Sequence, residues 1–300
     1  MISRRGFLKL MGGSFAGLMA LGGYAFAYEP LARLGISHYR LTPPGWTPGL
    51  KLRLVALADF HACEPWMSAD RIASICARAN ELEGDITLLL GDYAAGMNMV
   101  THYVHSSEWS KALATLRAPL GVHAIMGNHD WWEDRTAQKN GGGDTFGHRA
   151  LAEAGIPVYS NRAVRLKKDG HGFWLAGLED QLALLPGRKW GRSRMQGLDD
   201  LGGTLAQVSD DAPVILLAHE PDIFPRVPER VSLTLSGHTH GGQIRLFGYS
   251  PVVPSRYGDR YAYGHIVENG RNIIVSGGLG CSMVPVRFGV PPEIVVIDLG

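Results

Sequence analysis

The sequence predicts an α/β fold whose functional edge lies at the carboxyl ends of its strands. Three observations carry this reading. Short apolar runs alternate with helix-patterned segments along most of the chain. Several runs are continuous rather than alternating, as in strands buried on both faces. Residues able to hold metals or move protons follow directly after the runs, where α/β folds bind ligands.

Taken in order, residues 28–50 hold Pro30, Pro43, Pro44 and Pro48 and read as a lead-in with one short strand. Residues 52–58 predict a strand ending in Asp59-Phe60-His61. Ser68 is a good N-cap for a helix whose apolar positions Ile72, Ile75, Cys76 and Ala79 keep helical spacing, with Gly84 as its stop. Residues 86–90 predict a buried strand ending in Gly91-Asp92, and a helix is expected near 108–116. The strand 121–126 ends in Gly127-Asn128-His129-Asp130. The polar stretch 131–144, with Gly141-Gly142-Gly143, reads as a mobile loop. A helix near 147–154 precedes two strands around the Lys168-Asp169-Gly170 turn, the second ending in Glu179-Asp180. After an irregular basic stretch at 184–193, a helix is expected over 198–207. Strand 214–218 leads into His219-Glu220-Pro221-Asp222, and strand 231–235 into Ser236-Gly237-His238-Thr239-His240-Gly241-Gly242-Gln243. Strands near 273–276 and 294–297 close a chain that reads as one domain over 51–300.

Composition bounds the function. With 45% hydrophobic residues and 19% charged, the 300-residue chain can bury a sizeable core. A net charge of +1 argues neither for a nucleic-acid groove nor for an acidic tail. The cysteines Cys63, Cys76 and Cys281 are too few for a disulfide framework and lack the C-x-x-C spacing of a zinc–thiolate site; Cys76 reads as core. At the N-terminus, Ser3-Arg4-Arg5-Gly6-Phe7-Leu8-Lys9 looks like a twin-arginine export signal. An uncharged apolar run over 10–27 follows and ends Ala25-Phe26-Ala27, an A-x-A cleavage pattern. Residues 1–27 therefore read as a signal peptide or as an uncut anchor, and both place the protein at the cell envelope. The export machinery is then a partner.

The polar groups at the strand ends are Asp59, His61, Asp92, Asn128, His129, His219, His238 and His240. A sheet edge gains nothing from clustered carboxylates and imidazoles, which are costly to desolvate without cations. Nitrogen and oxygen donors without thiolates suit zinc, manganese or iron. Their number exceeds what one ion accepts and suggests two ions sharing a carboxylate. The histidines of the His238-x-His240 pair, two apart on an extended strand, face the same way and can approach one point.

The motifs Asp59-x-His61, Gly91-Asp92, Gly127-Asn128-His129-Asp130, His219 and Gly237-His238-x-His240 occur in the order of the calcineurin-like metallophosphoesterase superfamily. Residues 50–300 resemble it, and the exported bacterial branch is most similar, given the N-terminal signal and the Gly241-Gly242-Gln243 ending. The resemblance implies a four-layer α/β/β/α sandwich and two divalent ions. It implies hydrolysis of a phosphomonoester, phosphodiester or pyrophosphate bond by metal-bound hydroxide. Asp59, His61 and His240 would bind the first ion and Asn128, His219 and His238 the second, with Asp92 bridging. His129 would protonate the leaving oxygen, oriented by Asp130.

One departure bears on substrate. Many members carry an acid or acid–arginine pair after the Gly-Asp block, where this chain has Tyr93-Ala94-Ala95-Gly96. The missing arginine argues against a phosphoprotein phosphatase and leaves Arg188, Arg192 and Arg287 as candidates for gripping phosphate. Trp131 and Trp132 are candidates for the substrate entrance, Glu179 and Asp180 for supporting the site. His123 reads as core; His102, His105, His148, His171 and His265 read as surface. Location favours small-molecule or lipid phosphoesters of the envelope, at a membrane surface. One alternative is UDP-2,3-diacylglucosamine pyrophosphate hydrolysis in lipid A metabolism; another, of a different class, is a non-catalytic metal-binding scaffold.

Overall fold

The structure, a computed structural model, describes residues 3–300, without the side chains of Phe7, Leu8 and Leu10. Phe7 and Leu8 of the arginine motif thus lie outside the described side chains. The chain opens with an apolar helix α1 (Arg4–Gly23) that continues as a π-helical stretch Tyr24–Ala32. Then follow β1 (Gly35–Leu41), β2 (Leu52–Leu57), β3 (Cys63–Glu64), α2 (Ala69–Asn80), β4 (Ile86–Leu89), β5 (His102–Tyr103), α3 (Ser106–Leu113) and β6 (Val122–Ala124). Three short helices, α4 (Asn128–Trp132), α5 (Arg135–Asn140) and α6 (Phe146–Glu153), lead to the hairpin β7 (Arg162–Lys168) and β8 (His171–Gly177). The remainder is α7 (Leu201–Leu205), β9 (Val214–Leu217), β10 (Leu233–Ser236), β11 (Gly264–Glu268), β12 (Arg271–Val275) and β13 (Glu293–Leu299).

Two sheets result, ordered β1-β13-β2-β4-β6 and β11-β12-β10-β9-β8-β7, besides a small β3–β5 ribbon. Strands β2, β4 and β6 are mutually parallel, as are β8, β9, β10 and β12. Their carboxyl ends therefore share an edge in each sheet.

The period-2 alternation of strands decides the layers. Leu54, Ala56 and Leu88 point between the sheets and meet Leu175, Ile215, Leu217 and Leu235 of the second sheet. Their neighbours Val55, Leu57 and Leu89 face the other way, onto Ile72, Ile75 and Cys76 of α2 and Trp109 of α3. On the far side Ala176, Leu216 and Val275 pack beneath Ile223 and Phe224. The chain is the expected four-layer sandwich, with the inner strands β2, β4, β9, β10 and β12 buried on both faces. That double burial is why the strands read as continuous apolar runs.

Local differences have local causes. Ser68 caps α2 as expected, its Oγ accepting from Arg71 N at 3.1 Å. However, α2 ends at Asn80, and Glu83 rather than Gly84 takes the left-handed turn (φ 50°). Gly84 serves a close approach instead, since a Cβ there would stand 2.7 Å from Val55 Cγ2. The stretch 131–144, expected as a mobile loop, is mostly helical. Asp134 caps α5 by accepting from Thr136 N and Ala137 N, and the buried Gln138 amide ties Trp131 O to Ala183 O. Only the glycines after α5 form a turn. The expected 198–207 helix shrinks to α7, where Gly202-Gly203 lowers helix propensity. In the 28–50 stretch, β1 pairs in parallel with β13 along its whole length.

Leu88→Ala would remove a fully buried side chain from the layer between the sheets. The expected cost is about 2–5 kcal/mol of stability, read as a lowered urea midpoint with unchanged slope.

Candidate metal centre

Every candidate ligand leaves a strand at its carboxyl end: Asp59 and His61 after β2, Asp92 after β4, Asn128 after β6, His219 after β9, and His238 and His240 after β10. Five of these seven hold left-handed backbone conformations, with φ of 56° at Asp59, 48° at His61, 58° at Asp92, 69° at His238 and 51° at His240. Such conformations cost about 1–2 kcal/mol each outside glycine and persist only where surrounding bonds impose them. The motif glycines make room for carboxylates. A Cβ on Gly127 would stand 2.4 Å from Asp92 Oδ1, and one on Gly237 would stand 2.7 Å from Asp59 Oδ2.

Two groups of donor atoms, Asp59, His61 and His240, and Asp92, His219 and His238, are joined by a third, His61, Asp92 and His129, that overlaps both; in each the ligand atoms lie within 4.8 Å of one another. His61 Nε2 lies 3.0 Å from His240 Nε2. Asp92 Oδ2 sits between the groups, 3.5 Å from His61 Nε2 and 3.2 Å from His219 Nε2. Asn128 Oδ1 is 2.8 Å from His238 Nδ1 and joins the second group. The two histidines of the His238-x-His240 pair therefore do not approach one point: a turn after β10 sends them to different groups.

Backbone carbonyls set the tautomers. His61 Nδ1 donates to Ala94 O (3.1 Å), His219 Nδ1 to Leu90 O (2.6 Å) and His238 Nε2 to Pro254 O (2.9 Å). In each ring the other nitrogen turns its lone pair into the cluster. His240 differs, because the Arg287 guanidinium donates to its Nδ1 at 3.2 Å.

The cluster fits cations and little else. Asp59 Oδ2 and His219 Nε2 are buried with no hydrogen-bond partner in the protein. Burial drives the His61 imidazole down to about 3 and lowers those of His238 and His240, whereas against the pull of burial Asp92 and Asp59 raise that of His219 well above its ordinary value. Burial, with Asp92 beside it, pushes the Asp59 carboxyl up to about 7. Lone pairs facing lone pairs in a dry site are unfavourable until a cation lies between them. The donors are nitrogen and oxygen, and the three cysteines are buried and free.

The remaining candidates sort clearly. Asp130 does not touch the His129 ring. Its carboxylate accepts from Asp92 N (2.9 Å), Gly127 N (2.9 Å), Tyr93 N (2.9 Å) and Ala94 N (3.0 Å). The acid beside His129 is Glu133, 3.5 Å from Nδ1, and the Ser282 hydroxyl lies 3.5 Å from Nε2. Asp92, Glu133 and Asp130 outweigh the downward push of burial and raise the His129 imidazole above its ordinary value. Trp131 is buried and donates to Glu179, whereas the Trp132 ring lies 5.0 Å from the His129 ring. Arg287 is fully buried and donates to Gly277 O, Gly280 O and Val290 O, so it braces the 277–290 loop and His240 and cannot reach substrate. Arg192 likewise bonds to Leu185 O and Gln138, while Arg188 is exposed. His148, expected at the surface, is buried 3.6 Å from Glu179; His123 is buried against the Tyr159 hydroxyl, as expected of core. Glu133 was findable as the residue four after His129, once a helix there is recognised; nothing local marks Ser282.

Asp130→Ala would leave four buried N–H groups unpaired, at a cost of about 3 kcal/mol or more. Urea unfolding and elemental analysis of the purified protein should show lowered stability together with lowered metal content, although Asp130 ligates nothing.

Known proteins place this geometry. The family model for calcineurin-like phosphoesterases matches residues 52–242. The uncharacterized metallophosphoesterase YkuE of Bacillus subtilis is 34% identical over 99% of this chain and 98% of its own length. A Danio rerio protein named as a transmembrane protein with a metallophosphoesterase domain is 28% identical over 83% of this chain and 53% of its own. Among solved structures, Haemophilus influenzae NAD nucleotidase matches with a TM-score of 0.46 and 17% identity, over 77% of this chain and 51% of that one. This chain spans about half the length of those last two proteins. It belongs to the calcineurin-like phosphoesterases, a family of metal-dependent phosphoester hydrolases.

Proposed function

We propose that the chain is an envelope phosphohydrolase with two divalent ions, cleaving a phosphomonoester, phosphodiester or pyrophosphate bond. The observation that carries this is the pair of donor groups with Asp92 Oδ2 between them. Asp59, His61 and His240 would hold one ion, and Asn128, His219 and His238 the other, with Asp92 shared. When bound, the pair supplies Lewis-acid activation of water and neutralises charge on the phosphoryl oxygens.

The chain's own residues do the rest. Carbonyls at Ala94, Leu90 and Pro254 fix three imidazoles so that one nitrogen of each faces inward. Asp130 is a positioning residue that acts through the Asp92 loop. His129 holds the proton for the leaving oxygen, supported by Glu133 at its Nδ1. Arg192 and Arg287 are engaged by protein carbonyls, which leaves most charge neutralisation to the ions and favours small or lipid phosphoesters over phosphoproteins.

The anchor reading of the N-terminus is favoured over cleavage. The helical stretch Arg4–Ala32 is 29 residues long and holds an 18-residue window of mean hydropathy 1.3, long and apolar enough to cross a membrane. Ala25, inside the A-x-A pattern, is buried, and its carbonyl accepts from Arg287 N at 2.9 Å. The Danio rerio relative is also named as a transmembrane protein.

The metal-loaded protein should hydrolyse p-nitrophenyl phosphate or its bis ester with added manganese, and chelation should abolish the rate. No turnover of any phosphoester would leave the scaffold reading standing. His129→Ala should lower kcat about 10²–10⁴-fold with metal content unchanged. As a general acid His129 acts in its protonated form, so activity should be present below its pKa and fall as pH rises through it, and His129→Ala should lose this limb. On cell fractionation the protein should appear in the membrane with its domain outside the cytoplasm, and replacing both Arg4 and Arg5 by lysine should block export. A domain facing the cytoplasm would favour the lipid A pyrophosphatase reading instead.

A further inference from the structure

Six apolar side chains stand exposed on two loops beside the metal centre: Leu246, Phe247, Tyr249 and Val252 on one, Met283 and Val284 on the other. The first loop turns at Phe247-Gly248, where Leu246 and Tyr249 exchange backbone bonds of 2.9 and 3.0 Å. Phe247 (φ 52°) and Gly248 (φ 83°) both take positive φ, so the turn presents a wholly exposed phenyl ring at its tip. A non-glycine residue in that conformation, showing its ring to water, is unfavourable on both counts.

Both loops are tied to the site. The first leaves from His240 and returns to Pro254, whose carbonyl holds His238. The second includes Ser282, which stands against His129. Gln243 joins them, donating to Val284 O and Val286 O and accepting from Ser282 N. The apolar side chains thus form an apolar rim beside the metal centre.

The N-terminal apolar segment reaches the domain at this same place. Ala25 O accepts from Arg287 N, and the Tyr24 ring packs edge-on against Phe288, 5.7 Å between centroids. Phe288 in turn bonds through its backbone to Gln243 and Arg245 at the root of the Phe247 loop. Beyond Tyr24 the helix α1 exposes Met11, Phe15, Leu18 and Met19 and touches little of the domain. An anchor in the bilayer therefore emerges beside the apolar rim, with the exposed cation Arg33 bonded to Tyr24 Oη.

We propose that this rim, centred on Phe247 and Met283, docks into the surface of the lipid bilayer that holds the N-terminal helix. The metal centre then opens onto the head-group layer, and its substrate is a phosphoester standing in that layer. Apolar side chains dip below the head groups while Tyr249 and Arg33 remain at their level. The substrate clause rests on the phosphohydrolase reading; the docking clause does not.

The test uses the full chain in vesicles of phosphatidylcholine and phosphatidylglycerol. The native cysteines are buried, so an environment-sensitive thiol label can be directed to Phe247→Cys, with Ser209→Cys, exposed before β9, as reference. Brominated phosphatidylcholine should quench the label at position 247 at least twofold more than at 209. Equal quenching overturns docking, and so does efficient disulfide cross-linking of Phe247→Cys between copies in detergent, which would assign the rim to a second copy. In a separate arm, Phe247→Ser with Met283→Ser should leave turnover of p-nitrophenyl phosphate unchanged and lower hydrolysis of vesicle-borne phosphatidic acid or another membrane phosphoester about tenfold. Equal rates for parent and variant on the vesicle substrate overturn the substrate clause. Failure of the phosphohydrolase reading is distinguishable, because the parent then turns over neither substrate while the quenching result stands.

Discussion

The site depends on one buried carboxylate that stands outside the donor groups. Asp130, at the start of α4, accepts four backbone N–H groups from the loops after β4 and β6. Those bonds fix Asp92 in its left-handed conformation and pin Ala94, whose carbonyl orients His61. They also hold Gly127, whose lack of a side chain admits Asp92 Oδ1. One side chain thereby sets the shared carboxylate, one imidazole and the approach of two strand ends. Charge-assisted bonds of this kind are the strongest available to a carboxylate without a cationic partner.

Around that carboxylate the fold supplies rigidity that the ligand loops lack. Sheets buried on both faces do not slip, because a one-residue shift would turn every inward leucine outward. Their strand ends are thus fixed points, and the short turns that follow can hold strained φ angles. The second sheet contributes its three histidines from two neighbouring strands, β9 and β10, and the first contributes the carboxylates. The two donor groups meet only because the sheets pack face to face, with Leu54, Leu88, Ile215 and Leu235 filling the space between.

The strands and the donor residues were legible in the sequence for a physical reason. A strand buried on both faces must be apolar throughout, and a donor residue directly after it has no packing purpose. The parts that were not legible depend on tertiary contacts. Asp130 lies beside His129 in sequence, yet α4 turns its carboxylate onto the Asp92 loop. Arg287 looks like a phosphate-binding cation until its carbonyl partners enclose it. His148 sits in no motif and is buried by Glu179, which a distant strand supplies. The polar composition of 131–144 concealed α5 because its cap, Asp134, and its buried anchor, Gln138, are the polar residues themselves.

The same electrostatics bears on when the protein acquires its ions. With two carboxylates and four imidazoles packed without partners for Asp59 Oδ2 and His219 Nε2, the ion-free cluster can quiet its charges only by moving protons among its own members. Five left-handed residues add backbone strain to that cost. A cation held among these donors would relieve the charge frustration and, by binding the folded state, would offset the strain. Metal binding is therefore coupled to folding.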